Sequence, residues 1–175
     1  TIDIKSNNNS MTKNTLSRAS NTVSSNNEFM HVYNNLFINS NDDVRFDYWT
    51  SFFANRGYAV LQPNFRGSSG YGFDFIKAGL QKWGLEMQND VEDGTRWIIN
   101  EGIANKNKIC IVGGSYGGYA ALMGVAKSDL YKCAVSFAGV TDPVEIFDSS
   151  RMYSNKNQLR AMFGNDRSKL KEVSP

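Results

Sequence analysis

The sequence predicts an α/β architecture, a parallel β-sheet with helices on both faces. Three observations carry that expectation. From Asp42 onward, apolar residues recur at helical spacing in some segments and in short β-branched runs in others. These segments alternate as helix, strand, helix, strand, helix, strand, the order that builds a parallel sheet covered on both sides. Glycine, proline and asparagine fall at the joints between them. With 175 residues, 41% apolar and 13% aromatic, the chain has the length and composition for one domain with a sizeable core.

Eighteen of the first forty-one residues are Asn or Ser. Residues 1–41 therefore read as a low-complexity tail, mostly disordered. Over 1–27 in particular, the scattered apolar residues bury too little surface to offset the entropy of ordering. Residues 28–38 have strand-like content without clear alternation. The regular region runs over 42–175. Phe46, Trp49 and Phe53 share one helical face, and Asn55-Arg56-Gly57 supplies a helix stop. A short buried-strand pattern at 58–61 is ended by Pro63, and residues 64–72 form a glycine-rich loop. A helix is predicted over 89–100, with Met87, Val91 and Ile98 on one side and Gly102 beyond its end. A strand at 109–112, a helix at 117–127 and a strand at 133–137 follow. The stretch 144–175 reads as short helical pieces joined by polar loops.

Composition narrows the function. A formal charge of +2 indicates no nucleic-acid and no acidic-membrane partner. No run approaches the roughly 18 apolar residues a membrane helix requires. The N-terminus lacks a charged-then-apolar leader pattern, and the compartment and oligomeric state are left open. Cys110 and Cys133 both fall in predicted buried strands and read as free core thiols, not as a disulfide or metal ligands.

Residues 108–123 carry the most chemistry. Ile109, Ile111 and Val112 lead into Gly113-x-Ser115-x-Gly117, and a helix of small residues leaves it. This is the pattern of a nucleophile elbow, the sharp strand-to-helix turn that lifts one serine above the edge of an α/β-hydrolase sheet. Glycine two residues before and after the serine relieves crowding around a strained backbone. Ser115 is therefore the candidate nucleophile. Gly117, Gly118, Ala120, Ala121 and Gly124 let the helix approach the sheet, its positive end facing the place where negative charge develops in acyl transfer. Phosphate binding fits poorly: no Gly-Lys-Ser/Thr occurs, and serine stands where a dinucleotide fingerprint needs its second glycine.

Other features have structural readings. Arg66, in the glycine-rich loop, either binds a carboxylate or ties the loop to neighbouring carbonyls, with the second favoured. Asp90, Glu92 and Asp93 read as a solvated helix start, where negative charge suits the dipole. Trp83 and Trp97 read as core or crevice lining.

Five stretches carry a resemblance to a known family: 46–49 (Phe-Asp-Tyr-Trp), 55–72, 88–94, 113–122 and 134–142. Over residues 43–147 the chain resembles the catalytic domain of the prolyl oligopeptidase family, serine peptidase family S9. It is most similar to the acylaminoacyl-peptidase and dipeptidyl-peptidase-like bacterial members, and Ser174-Pro175 matches a further family dipeptide. The resemblance implies an incomplete α/β-hydrolase fold, with Ser115 as acyl-forming nucleophile and the backbone N–H of Tyr116 as an oxyanion-hole donor. It also implies short peptides as substrates and no cofactor. The family's His-Gly-Gly-Pro turn has no counterpart near 35–38, where Asn-Leu-Phe-Ile stands. No propeller precedes the domain, and the chain stops before the family's catalytic aspartate and histidine.

A serine hydroxyl needs a base, and hydrolases of this class supply it in the order serine, acid, histidine. The one histidine, His31, precedes Ser115 by 84 positions. Asp142 and Asp148 follow the serine but do not match the family's acid. The expectation is a peptidase catalytic-domain fragment, inactive alone. The alternatives are a catalytically dead remnant or interaction module, and a small-ester esterase. If 28–38 does not fill the sheet's central place, the strands at 58–62 and 109–112 cannot pair properly, and a marginal or aggregation-prone fold is expected.

Overall fold

The computed structural model describes residues 2–3, 13–17, 29–32, 48–149 and 156–175. The strands are β1 (Ile2–Asp3), β2 (Lys13–Ser17), β3 (Phe29–Val32), β4 (Ala59–Asn64), β5 (Ile109–Gly114) and β6 (Cys133–Phe137). They form one sheet in the order β1–β2–β4–β3–β5–β6. β3, β4, β5 and β6 run parallel, while β2 pairs antiparallel with both β1 and β4. The helices are α1 (Tyr48–Ala54), α2 (Phe73–Lys77), α3 (Glu86–Asn100), α4 (Tyr116–Lys127), α5 (Pro143–Ser149), α6 (Lys156–Phe163) and α7 (Arg167–Glu172). Strand order and helix placement are those of the α/β-hydrolase fold.

The ambiguous segment supplies the central strand. β3 lies between β4 and β5, with His31 in register opposite Leu61 and Ile111. A short strand paired in parallel on both flanks need not alternate apolar with polar residues, and Phe29-Met-His-Val does not. The condition set for a marginal fold is thus not met at this position; 33–38, including the place of the missing His-Gly-Gly-Pro turn, lies outside the described residues. β1 and β2 stand within the tract expected to be disordered. Ladder hydrogen bonds come from the backbone, so a polar sequence does not prevent pairing at a sheet's edge. The rest of 1–27 is outside the described residues, as is Phe46. β4 also runs past Pro63 to Asn64, where pairing with β3 has already ended at Leu61, leaving one flank of the proline without a ladder to serve.

Alternation along β4 sorts the core into two faces. Ala59 and Leu61 pack with Ile109, Ile111, Val91, Ile98, Ala121 and Met123, under α3 and α4. Val60 packs with Ala54 of α1, flanked by Phe53 and Tyr58. β6 is different: Val135 is 53% and Phe137 78% exposed, and no described strand pairs with its outer flank.

Two expectations change here. Cys110 and Cys133 are not free thiols in the core; they form a disulfide, with Cα atoms 4.6 Å apart. The two residues face each other in the β5–β6 register, and Cys133 is exposed because β6 is the outermost described strand on its side. Asp90 is not part of a solvated helix start. It is fully buried on α3 and accepts from Arg66 three times, through the backbone N–H at 2.9 Å, Nε at 2.7 Å and Nη2 at 2.7 Å. Arg66 therefore ties its loop to a carboxylate within the fold, and the hydrogen bond to Asp90 raises its pKa. This two-pronged pairing is the strong form of an Arg–carboxylate contact.

Removing one partner of such a pair leaves the other uncompensated in a desolvated place. Asp90→Ala should cost about 3–5 kcal/mol in urea denaturation, and the double change Arg66→Met with Asp90→Leu should cost less than that single one. Burial also raises the phenol pKa values of Tyr116, Tyr119 and Tyr131. Above about pH 10 an unfolded phenol releases its proton while these three keep theirs. The unfolded state then binds fewer protons, so stability should fall as pH rises past that point. In an alkaline titration followed at 295 nm, these three tyrosines should ionise only together with loss of the far-UV signal.

Candidate active site

At the carboxyl end of β5 the chain turns directly into α4, and Ser115 occupies the bend with φ 54° and ψ −119°. A non-glycine residue rarely adopts positive φ, and such a conformation persists only where the surroundings over-determine it. Here they do. The Ser115 N–H donates to the carbonyl of Phe137 at 2.9 Å, and the Ser115 carbonyl accepts from the Tyr119 N–H at 3.1 Å. A Cβ on Gly113 would collide with the backbone carbonyl of Gly117, so strand and helix meet at contact distance. A Cβ on Gly118 would lie 2.7 Å from both the Gly139 Cα and the Ser136 Oγ. Ala138, next to this contact, also has positive φ, at 48°. The tight approach is what the small residues of α4 permit.

Ser115 itself is half-buried, at the edge where parallel strands end and ligands of open α/β sheets bind. Its side chain does not cap α4. Tyr116 is the first helical residue, so its N–H has no acceptor within the helix and points into the positive end of the helix dipole. The Tyr116 ring is buried. It packs on Trp83 at 4.5 Å, Phe65 at 5.0 Å and Tyr119 at 5.7 Å between ring centroids. Phe163 of α6 closes the cluster against Trp83 at 4.5 Å. The backbone N–H at the bend is thus fixed by a ring anchored on three sides.

The neighbouring residues divide into those the site uses and those it does not. Arg66 is engaged by Asp90 and holds Phe65 against Tyr116. Asp142 caps α5, accepting from the N–H groups of Val144 at 2.8 Å and Glu145 at 3.2 Å. The pair Asp142-Pro143 is a legible helix start. Asp148 pairs with Arg167. Neither aspartate is free to orient a histidine, and His31 is placed on β3 by its backbone register alone. Sequence reasoning missed the Phe137 carbonyl as the anchor of the bend. No side-chain pattern announces a backbone acceptor. Among the described residues no group of His, Cys, Asp and Glu could hold a metal ion, and no helix is long and apolar enough to cross a membrane.

Residues 44–175 match the model of the prolyl oligopeptidase family. The chain is 41% identical over 99 residues to dipeptidyl aminopeptidase BIII of Pseudoxanthomonas mexicana, covering 56% of this chain and 14% of that protein. It is 34% identical over 113 residues to dipeptidyl peptidase family member 6 of Caenorhabditis elegans, covering 64% and 15% respectively. Among solved structures, a puromycin-hydrolyzing peptidase of Mycobacterium tuberculosis superposes with a TM-score of 0.76 at 24% identity, over 85% of this chain and 23% of that one. The chain thus spans about a seventh of the length of these curated relatives.

Gly113→Ala drives a methyl group into the Gly117 backbone and should cost about 3 kcal/mol or prevent folding, in the manner of overpacking. Gly57→Ala makes a sharp control. Gly57 has φ 87° with nothing within 4 Å of the added carbon, so only the left-handed backbone penalty of about 1–2 kcal/mol applies. Urea midpoints of the two variants should separate accordingly.

Proposed function

The chain belongs to the prolyl oligopeptidase family, and on that footing we propose that it is the nucleophile-bearing part of a serine peptidase acting on short peptides. The partial α/β-hydrolase domain is built from residues 42–175 together with the strands that the Asn/Ser-rich tract over 1–41 adds to its sheet, β3 at the centre among them. The observation that carries the reading is the backbone of Ser115, φ 54° at a strand-to-helix bend with a free helix N–H beside it. That is the geometry an acyl-forming serine needs.

In this mechanism Ser115 Oγ attacks the scissile carbonyl carbon. The carbonyl oxygen gains negative charge, which the Tyr116 N–H and the positive end of α4 stabilise. The Oγ–C bond forms as the hydroxyl proton passes to a base, the amine leaves with a proton, and water then releases the acyl group. The peptide preference is supported by the names of the relatives, dipeptidyl peptidases.

The base is the part this chain does not itself supply. Its single histidine precedes the serine, and of the aspartates after the bend Asp142 is used as a helix cap and Asp148 in an ion pair. Removing triad members typically loses several orders of magnitude in rate. The 175-residue chain alone therefore turns over peptides very slowly.

A fluorophosphonate probe tests this. Labelling of the chain should be slow, should accelerate with added imidazole acting as a diffusible base, and should vanish in Ser115→Ala. Fast labelling without imidazole that is lost in His31→Ala would place the base on β3 and overturn the missing-base reading. No labelling under any condition, with the far-UV spectrum intact, would favour a catalytically dead remnant. Cleavage of p-nitrophenyl esters but not of aminoacyl-naphthylamides would favour an esterase.

A further inference from the structure

Tyr116 offers its backbone N–H to the charge that develops in acyl transfer, yet its side chain has no polar tie to hold it. The phenol oxygen is buried and makes no hydrogen bond among the described residues. The ring, and with it the first turn of α4, is therefore held by packing against Trp83, Phe65 and Tyr119. Two of these have anchors of their own. Tyr119 stands on α4 and donates to the Val173 carbonyl at 2.8 Å, and Trp83 packs on Phe163. Phe65 lies on the glycine-rich loop, one residue past the end of β4.

That loop takes its position from Asp90. One carboxylate accepts the backbone N–H of Arg66 at 2.9 Å and both arms of its guanidinium at 2.7 Å. Main chain and side chain of the residue next to Phe65 are thus set together. The rest of the turn is tight. Ser68 donates through its N–H and its Oγ to the Phe65 carbonyl, and the Gly67 N–H donates to the Phe75 carbonyl. A Cβ on Gly79 would lie 2.6 Å from the Gly67 Cα.

Stability alone does not call for ions at this place. The Asp90 side chain is fully buried and that of Arg66 is 16% exposed, and well-packed apolar residues commonly serve as well in such surroundings. What an apolar pair lacks is direction, because the planar guanidinium fork fixes how its partner approaches. We infer that Arg66 and Asp90 are positioning residues for the Ser115 site, setting the direction of the Tyr116 N–H through Phe65. As a contribution to acyl transfer this rests on the reading of Ser115 above; as control of the amide it does not.

The test uses the full 175-residue chain labelled with 15N. Arg66→Met/Asp90→Leu removes the fork without leaving a lone buried charge. Arg66→Lys keeps the charge but loses the fork, and Phe65→Leu keeps the pair but removes the ring that transmits it. In the double variant and in Phe65→Leu, the Tyr116 amide resonance should shift and its order parameter should fall from about 0.85 toward about 0.6. The amides of 91–100 on α3 should stay rigid. In imidazole-assisted fluorophosphonate labelling the maximal rate should fall about ten-fold, less than the roughly 10²–10³-fold that outright loss of an oxyanion donor costs. The half-saturating probe concentration should hardly change, and Arg66→Lys should fall between wild type and the double variant. Gly57→Ala, destabilised away from the site, should leave both the Tyr116 amide and the labelling rate at wild-type values. An unmoved Tyr116 amide in the folded variants would overturn the proposal. So would equal slowing in Gly57→Ala, which would make the pair a general support. If the double variant does not fold, Arg66→Lys and Phe65→Leu decide by the same readings. A Tyr116 amide that moves in a chain that never labels, wild type included, keeps the positioning pair and removes the peptidase.

Discussion

The bend at Ser115 depends on one backbone hydrogen bond, from its own N–H to the carbonyl of Phe137. A serine at φ 54° is not a conformation the local chain chooses, and the excess energy of such a residue must be balanced by contacts around it. The hydrogen bond ties the turn to the neighbouring strand, and the absence of side chains at Gly113 and Gly117 lets α4 begin at once against β5. Every other feature of the site takes its position from that bend. The hydroxyl is raised to the carboxyl edge of the sheet, and the Tyr116 N–H is left without an acceptor beside it.

The second support lies outside the sheet. Arg66 and Asp90 join the loop after β4 to the buried side of α3, and the loop so held brings Phe65 onto the Tyr116 ring. Trp83 and Phe163 complete the enclosure from two further segments. The Tyr116 amide thus owes its fixed direction to an ion pair and an aromatic cluster set behind the bend.

What could be read beforehand follows physical lines. The stretch from 109 to 137 was legible almost residue by residue, because β-branched runs, the glycine pair around Ser115 and the small residues of α4 each report a local steric demand. β3 was not legible, since a four-residue strand is too short to display a period, and Phe29 to Val32 shows no alternation. β1 and β2 were hidden for a different reason: ladder pairing uses groups that Asn and Ser share with every other residue. The Cys110–Cys133 bond required the β5–β6 register, a long-range fact that spacing along the chain does not contain. Asp90 was misread because three acidic residues at a helix start look alike until the loop carrying Arg66 is folded against one of them.

One side-chain hydrogen bond of the core reaches further along the chain than its neighbours. The Tyr119 hydroxyl, one helical turn past the serine, donates to the main-chain carbonyl of Val173 at 2.8 Å, across 54 positions of sequence. The segment after α7 thereby supplies the acceptor for a deeply sheltered phenol on the helix that starts at the bend, so a disturbance there reaches α4 without touching the pocket.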